Sequence, residues 1–139
     1  MSGEKIKDSV TLEEARRVIA AAEAKATELN VPQDIAVVDV GGRLKAHARM
    51  DGANIGSIYI AINKAYTAIA FQCQTKDFSD ITRPDADLFG LSDAHGGSLC
   101  VFPGGIPLVR NGQIVGAIGV STGTIEEDQA VAEAGAAAM

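Results

Sequence analysis

Only two histidines occur in this 139-residue chain, and their neighbours decide what each could do. His95 stands in Ser92-Asp93-Ala94-His95-Gly96-Gly97, two residues after a carboxylate and just before two glycines. A loop histidine with Asp93 as orienter suits metal or haem-iron ligation, or general acid–base work: a partner on one ring nitrogen fixes the tautomer and leaves the other nitrogen free. A solvated loop side chain is the plainer alternative. His47 lies in Arg43-Leu44-Lys45-Ala46-His47-Ala48-Arg49, where basic or imidazole side chains alternate with apolar ones. At a strand period of two, all four cationic positions share one face. That face is either simply solvated or a site for a carboxylate or propionate, which such a row would bind.

Lys64 falls within an apolar helical stretch, where it either snorkels at the edge of the stripe or points into a pocket, paired with Asp39 or with a ligand carboxylate. Asp39 interrupts an otherwise apolar run before Gly41-Gly42, so capping that turn is its other reading. Glu126, Glu127 and Asp128 open the last helical segment, and favourable interaction with the helix dipole accounts for them. The glycines of Phe102–Gly123 form neither a GxxxxGK[ST] loop nor a GxGxxG turn, since Gly116-Ala117-Ile118-Gly119 falls inside a strand; this excludes a nucleotide cradle. Cys73 and Cys100 stand apart, without metal-ligand spacing, and read as reduced packing residues. No metal site is expected. The net charge of −6, without a basic run, argues against nucleic acid and anionic membranes as partners. The first residues, Met1 to Asp8, are polar and no apolar run reaches spanning length, so a cytoplasmic protein is expected.

These side chains need elements to position them. Thr11 and Glu14 form a capping box before a helix that runs to Leu29, with Leu12, Ala15, Val18, Ile19, Ala22 and Ala26 on one stripe. Asp34–Val40 and Arg43–Arg49 are two strands joined by Gly41-Gly42. Small residues recur with Ile55, Ile58, Ile62 and Ile69 in a second helix, about Ile55 to Gln74, able to lie close to a sheet. Thr75–Arg83 reads as a helical turn and Asp85–Ser98 as loop. Asn111-Gly112, between Ile106–Val109 and Ile114–Val120, spells a hairpin with a type I′ turn. A capping box at Thr124 and Glu127 starts a final alanine-rich helix. Residues 1–139 are expected to form one α+β domain, with a mostly antiparallel sheet covered by helices.

Several of these segments together resemble one family. Val38-Asp39-Val40-Gly41-Gly42, Arg49-Met50-Asp51-Gly52-Ala53, Lys64-Ala65-Tyr66-Thr67-Ala68, Pro103-Gly104-Gly105-Ile106-Pro107-Leu108 and Val115–Ser121 stand in the order of the GlcG/HbpS-type proteins. That family includes haem-binding proteins, a glycolate-locus protein and the C-terminal domain of PduO-type corrinoid adenosyltransferases. The resemblance implies a profilin-like fold, with a five-stranded antiparallel sheet between helices, and assembly into dimers or larger rings. It also implies a ligand pocket near the subunit interface, where some members hold haem. Where relatives typically read Ser-Gly-Gly, this chain has Ser121-Thr122-Gly123, and the extra side chain narrows whatever lies over that turn.

The function this implies is oligomeric binding of a small, anionic ligand, with haem or a related tetrapyrrole as the named cofactor. Arg49, His47, Asp39, Gly104, Gly105 and Ser121 are the candidate contacts. The alternative is an enzyme of a catabolic pathway: a lyase, hydrolase or isomerase of a small carboxylated substrate. There His95 acts as acid/base, Asp93 orients it, and Lys64 and Arg49 clamp the carboxylate. A scaffold or sensor without a small ligand is a third reading.

Overall fold

The computed structural model describes residues 8–139; the polar stretch before Asp8 lies outside them. In chain order the elements are α1 (Leu12–Glu28), β1 (Asp34–Asp39), β2 (Leu44–Arg49), α2 (Ser57–Phe71), a 3-10 turn (Thr75–Phe78), the short α3 (Leu91–Ala94), β3 (Gly105–Arg110), β4 (Gln113–Ser121) and α4 (Ile125–Ala136). The strands form one antiparallel sheet in the order β2-β1-β4-β3. Four strands are found among the described residues, not five. The chain between α2 and β3, interrupted by Pro84, Gly90, Gly96 and Gly97, folds as short helical turns and loop.

Strand alternation sorts the sheet into two faces. Ile35, Val37, Ile106, Leu108, Ile118 and Val120 point one way and pack with Val18, Ala22, Val131 and Ala132 of α1 and α4. Val38 and Ala117 point the other way and pack with Ala65, Ala68 and Ile69 of α2. Gly119 shows how close α2 comes: a Cβ there would fall on the carbonyl oxygen of Ala61 and 2.5 Å from the amide nitrogen of Ala65. The small-residue face of α2 therefore lies directly on strand backbone.

The local signals hold with two adjustments. Asn111 and Gly112 adopt φ of 51° and 78°, the type I′ turn the dipeptide favours. The box at Thr124 and Glu127 is complete, but only half of the first one forms. The Glu14 amide donates to Thr11 Oγ1 at 3.1 Å, while the Glu14 carboxylate accepts from Arg110 Nη1 at 2.7 and 2.9 Å instead. That ion pair ties α1 to the end of β3. Helix α2 is shorter than its periodicity predicts, because Gln72 turns to left-handed backbone at φ 53°.

Candidate functional site

The structure distributes the expected site residues over three places. The first is an open cleft of about 290 Å³ beside the outward side of α2, where Tyr66, His95, Arg43, Asn63, Ile62 and Gly42 meet. Arg43 is placed by the β1–β2 turn, which Asp39 closes: Asp39 Oδ1 accepts from the amides of Gly41 at 2.9 Å and Arg43 at 3.0 Å. Turn capping thus accounts for Asp39, which has no bond to Lys64. The ring of Tyr66 packs over this turn so closely that a Cβ on Gly42 would meet Tyr66 Cδ2 at 2.9 Å. His95 follows α3 as its C-cap and is exposed, with Gly96 and Gly97 at φ 84° and 87° behind it. Its Nε2 lies 3.3 Å from Tyr66 Oη, the ring centroids 5.6 Å apart and tilted by 56°. The partner of the imidazole is therefore Tyr66, not the expected Asp93. Asp93 instead accepts from the Gly96 amide through its backbone carbonyl, at 3.0 Å. Tyr66 was missed in the sequence, although Tyr59, Ile62 and Tyr66 recur at three- and four-residue spacing on one side of a helix.

The second place is internal. Lys64 is fully buried and donates to Asp128 Oδ2 at 2.7 Å and to the Val120 carbonyl at 2.8 Å, with its ammonium 4.9 Å from the centroid of Phe102. Burial pushes the Asp128 carboxyl up, while Lys64 and the Gly123 amide pull it back. Lys64 therefore pins α2, β4 and α4 together, and its charge does not face a pocket. Asp128 does more than complement a helix dipole. The Pro103–Gly105 corner belongs to the same interior. Gly104 and Gly105 are buried, their amides donating to Gln129 Oε1 at 3.1 Å and Thr75 Oγ1 at 2.9 Å, and Ser121 is buried at the end of β4.

The third place is the opposite end of the β1–β2 hairpin. Asp34 is buried and accepts at Oδ2 from Thr122 Oγ1 at 3.0 Å, while the Asn54 amide donates to the same hydroxyl at 3.3 Å. Thr122 holds this position at φ 124°, backbone that L-residues rarely adopt. His47 turns Nε2 toward Asp34 Oδ1 at 3.7 Å, beyond hydrogen-bond reach, and both atoms are buried without a partner. Burial lowers the His47 pKa, Asp34 opposes this and Arg49 adds to it. The imidazole is thus a half-buried neutral group, not one of four cations in an open row. Arg43, Lys45 and Arg49 keep their exposure.

Arg49 stands six residues beyond Arg43, about 20 Å along a strand, so within one chain it does not join the His95 cleft. His95, Asp93, Lys64 and Arg49 are not brought into one constellation. A second open cleft, about 490 Å³, runs between α1 and β2 beside Leu12, Arg16, Ile19 and Glu23. Among the described residues no three His, Cys, Asp or Glu side chains gather as a metal site, and no helix is long and apolar enough to cross a membrane. Both cysteines are free, and burial raises the Cys100 thiol to about 11.

Comparison with known proteins agrees with this architecture. A protein from Citrobacter freundii encoded between dhaT and dhaS, of 15.0 kDa and uncharacterized, is 42% identical over 125 residues, 90% of this chain and 88% of its own length. The corrinoid adenosyltransferase PduO of the same organism is 35% identical over 131 residues; the match covers 94% of this chain but only 39% of PduO. A crystal structure of a PduOC:haem complex superposes with a TM-score of 0.89 at 33% identity, covering 94% of this chain and 95% of that one. The family model described as haem degrading protein HbpS-like matches residues 10–137, and on that span the chain belongs to the HbpS-like family.

Proposed function

We propose that this protein binds a small anionic ligand, with haem or a related tetrapyrrole as the candidate, and that the Tyr66–His95 cleft is where it binds. The observation carrying this is the imidazole–phenol pair at 3.3 Å beside the Arg43 side chain in an open cleft. A bare metal ion needs three or four side-chain donors, and this cleft does not provide them. A tetrapyrrole brings four nitrogens of its own. It asks the protein for one axial donor, an apolar wall and a cation for its propionates. Tyr66 or His95, Ile62 and Arg43 fit those needs, and the PduOC:haem complex is a precedent in a relative.

At about 290 Å³ the cleft sits at the low end of ligand pockets, so it would hold one edge of a macrocycle. The outward ridge of α2 continues from it to Tyr59, and Ile55 stands in the turn just before the helix, each 73% exposed. A second copy laid on that ridge would cover the rest of the ligand, which is the basis here for expecting a homo-oligomer. The enzymatic alternative persists in reduced form: Tyr66 and His95 are a potential proton donor and acceptor, and Arg43, rather than Lys64 or Arg49, would hold a substrate carboxylate.

Titration with hemin, followed by Soret absorption, tests the proposal. Wild type should saturate, Arg43→Ala should bind about tenfold more weakly, as for loss of one charge-assisted contact, and His47→Ala should bind as wild type. A flat titration of wild type removes haem; turnover of small carboxylic acids that Arg43→Ala abolishes would support the alternative.

A further inference from the structure

The two outer strands of the sheet are finished differently. Along β3 the Gly105 amide donates to Thr75 Oγ1 at 2.9 Å, and Pro107 has no amide to offer, so that edge is closed. The edge at β2 is open. Its end is tied to β1 by the Met50 amide, which donates to the Gln33 carbonyl at 3.0 Å. With Ile35 opposite Ala48 and Val37 opposite Ala46, antiparallel alternation then turns the amides and carbonyls of His47 and Arg49 away from β1. We infer that this edge, residues 46–49, docks an extended acidic segment of a partner protein, which adds to the sheet beside β2. The edge is separate from the Tyr66–His95 cleft, and its role does not depend on the ligand proposed there.

Shape favours such a strand. On the α1 side, Ala46 and Ala48 form the floor of the open cleft of about 490 Å³, and Leu12, Ile19 and Ala20 line its wall. Every second side chain of the incoming strand would enter this cleft and should be apolar. The alternate side chains fall on the other face, in line with His47 and Arg49.

Charge selects the partner. Arg43, Lys45 and Arg49 are exposed on β2 and its turn, and Arg16 stands in the cleft. Among the described residues none of these four forms an ion pair. β2 itself holds no carboxylate, Asp34 beside it is buried and bound to Thr122, and Glu23 is the single acid lining the cleft. A chain of net charge −6 thus gathers unpaired cations along one edge. Two copies paired edge to edge would set these cations against one another, which destabilises a strand pair. An acidic strand instead gains from them, and its backbone supplies the missing ladder. Lys45 has no partner on β1, because the register shifts there. That bulge ends the regular edge and fits it to a short segment.

A short fluorescein-labelled peptide of alternating glutamate and valine tests this by fluorescence anisotropy, with amide chemical shifts of the isotope-labelled protein as the second readout. Binding should saturate and shift the amides of Ala20, His47 and Arg49, leaving Tyr66 and His95 unmoved. Lys45→Glu/Arg49→Glu should bind about tenfold more weakly or worse, and added salt should weaken wild type. Methylating the peptide nitrogens that face β2 should abolish binding, as should gathering the glutamates into one block. Those two arms use the wild-type protein, so they stand even if the double variant melts early. Equal binding of the methylated or blocked peptide would reduce the effect to charge attraction and overturn the proposal. No binding at all would overturn it too, leaving the cations as protection of the edge. Shifts at His47 and Arg49 that grow with protein concentration, without peptide, would assign the edge to a second copy instead.

Discussion

Replacing Lys64 by methionine should be among the most damaging single changes available in this protein. Lys64 has no exposed side-chain surface and Asp128 only 4%, so little water can compensate when the ammonium is removed. The substitution strands Asp128 Oδ2 and the Val120 carbonyl, leaving Asp128 with the Gly123 amide on Oδ1 at 3.0 Å. Breaking one side of a buried ion pair costs about 3–5 kcal/mol. At about 4 °C per kcal/mol for a chain of this size, the melting temperature should fall by roughly 10–20 °C. Burial already pushes the Asp128 carboxyl up, against the pull of Lys64. Without Lys64 it rises further, and protonation then removes the stranded charge. The destabilisation should therefore be largest near neutral pH and shrink as pH falls through that raised pKa. Lys64→Met/Asp128→Leu should recover at least half of the loss, because replacing both partners leaves no buried charge. Urea unfolding followed by circular dichroism at two pH values reads all three effects. A Lys64→Met cost below about 1 kcal/mol, or additive costs in the double-mutant cycle, would refute a buried coupled pair.

Gly119→Ala should fail to fold or lose several kcal/mol, since its Cβ would collide with the backbone of α2 at Ala61, whereas Gly112→Ala, in open space at φ 78°, should cost about 1 kcal/mol by thermal melt. Thr122→Gly should be more stable than Thr122→Ala by about 1 kcal/mol: both lose the bond to Asp34, but only glycine is relieved at φ 124°. Because the folded state lowers the His47 pKa below 6.5, the unfolded chain binds the proton more readily. Stability from this group is therefore complete above pH 6.5 and lost as pH falls toward the depressed folded value; His47→Gln should flatten that part of the melting-temperature profile.

What could be read from the sequence was what neighbours along the chain determine. Asn111-Gly112 sets its own turn, Thr124 and Glu127 their own cap, and the alternation in Asp34–Arg49 its own hairpin. The residues that form sites answer to partners far away in the chain. Lys64 meets Asp128 across 64 positions and Tyr66 meets His95 across 29, and no local period announces either. A trace of the first was present: Ala61, Lys64, Ala65 and Ala68 share one helix face, so a lysine there had to be buried against a small-residue contact and needed a carboxylate. The trace of the second was weaker. Asp93 is closer to His95 in sequence than Tyr66, but the turn of α3 directs the ring away from it and toward α2. The fifth strand was expected on resemblance alone, and no run of residues in the sequence had been assigned to it.

The claim that matters most is where the ligand lies. A crystal structure of the protein grown with hemin measures this directly. The iron is expected within coordination distance of the Tyr66–His95 pair, with a propionate on Arg43. A macrocycle seated instead in the α1–β2 cleft beside Arg16 and Glu23 would contradict the account.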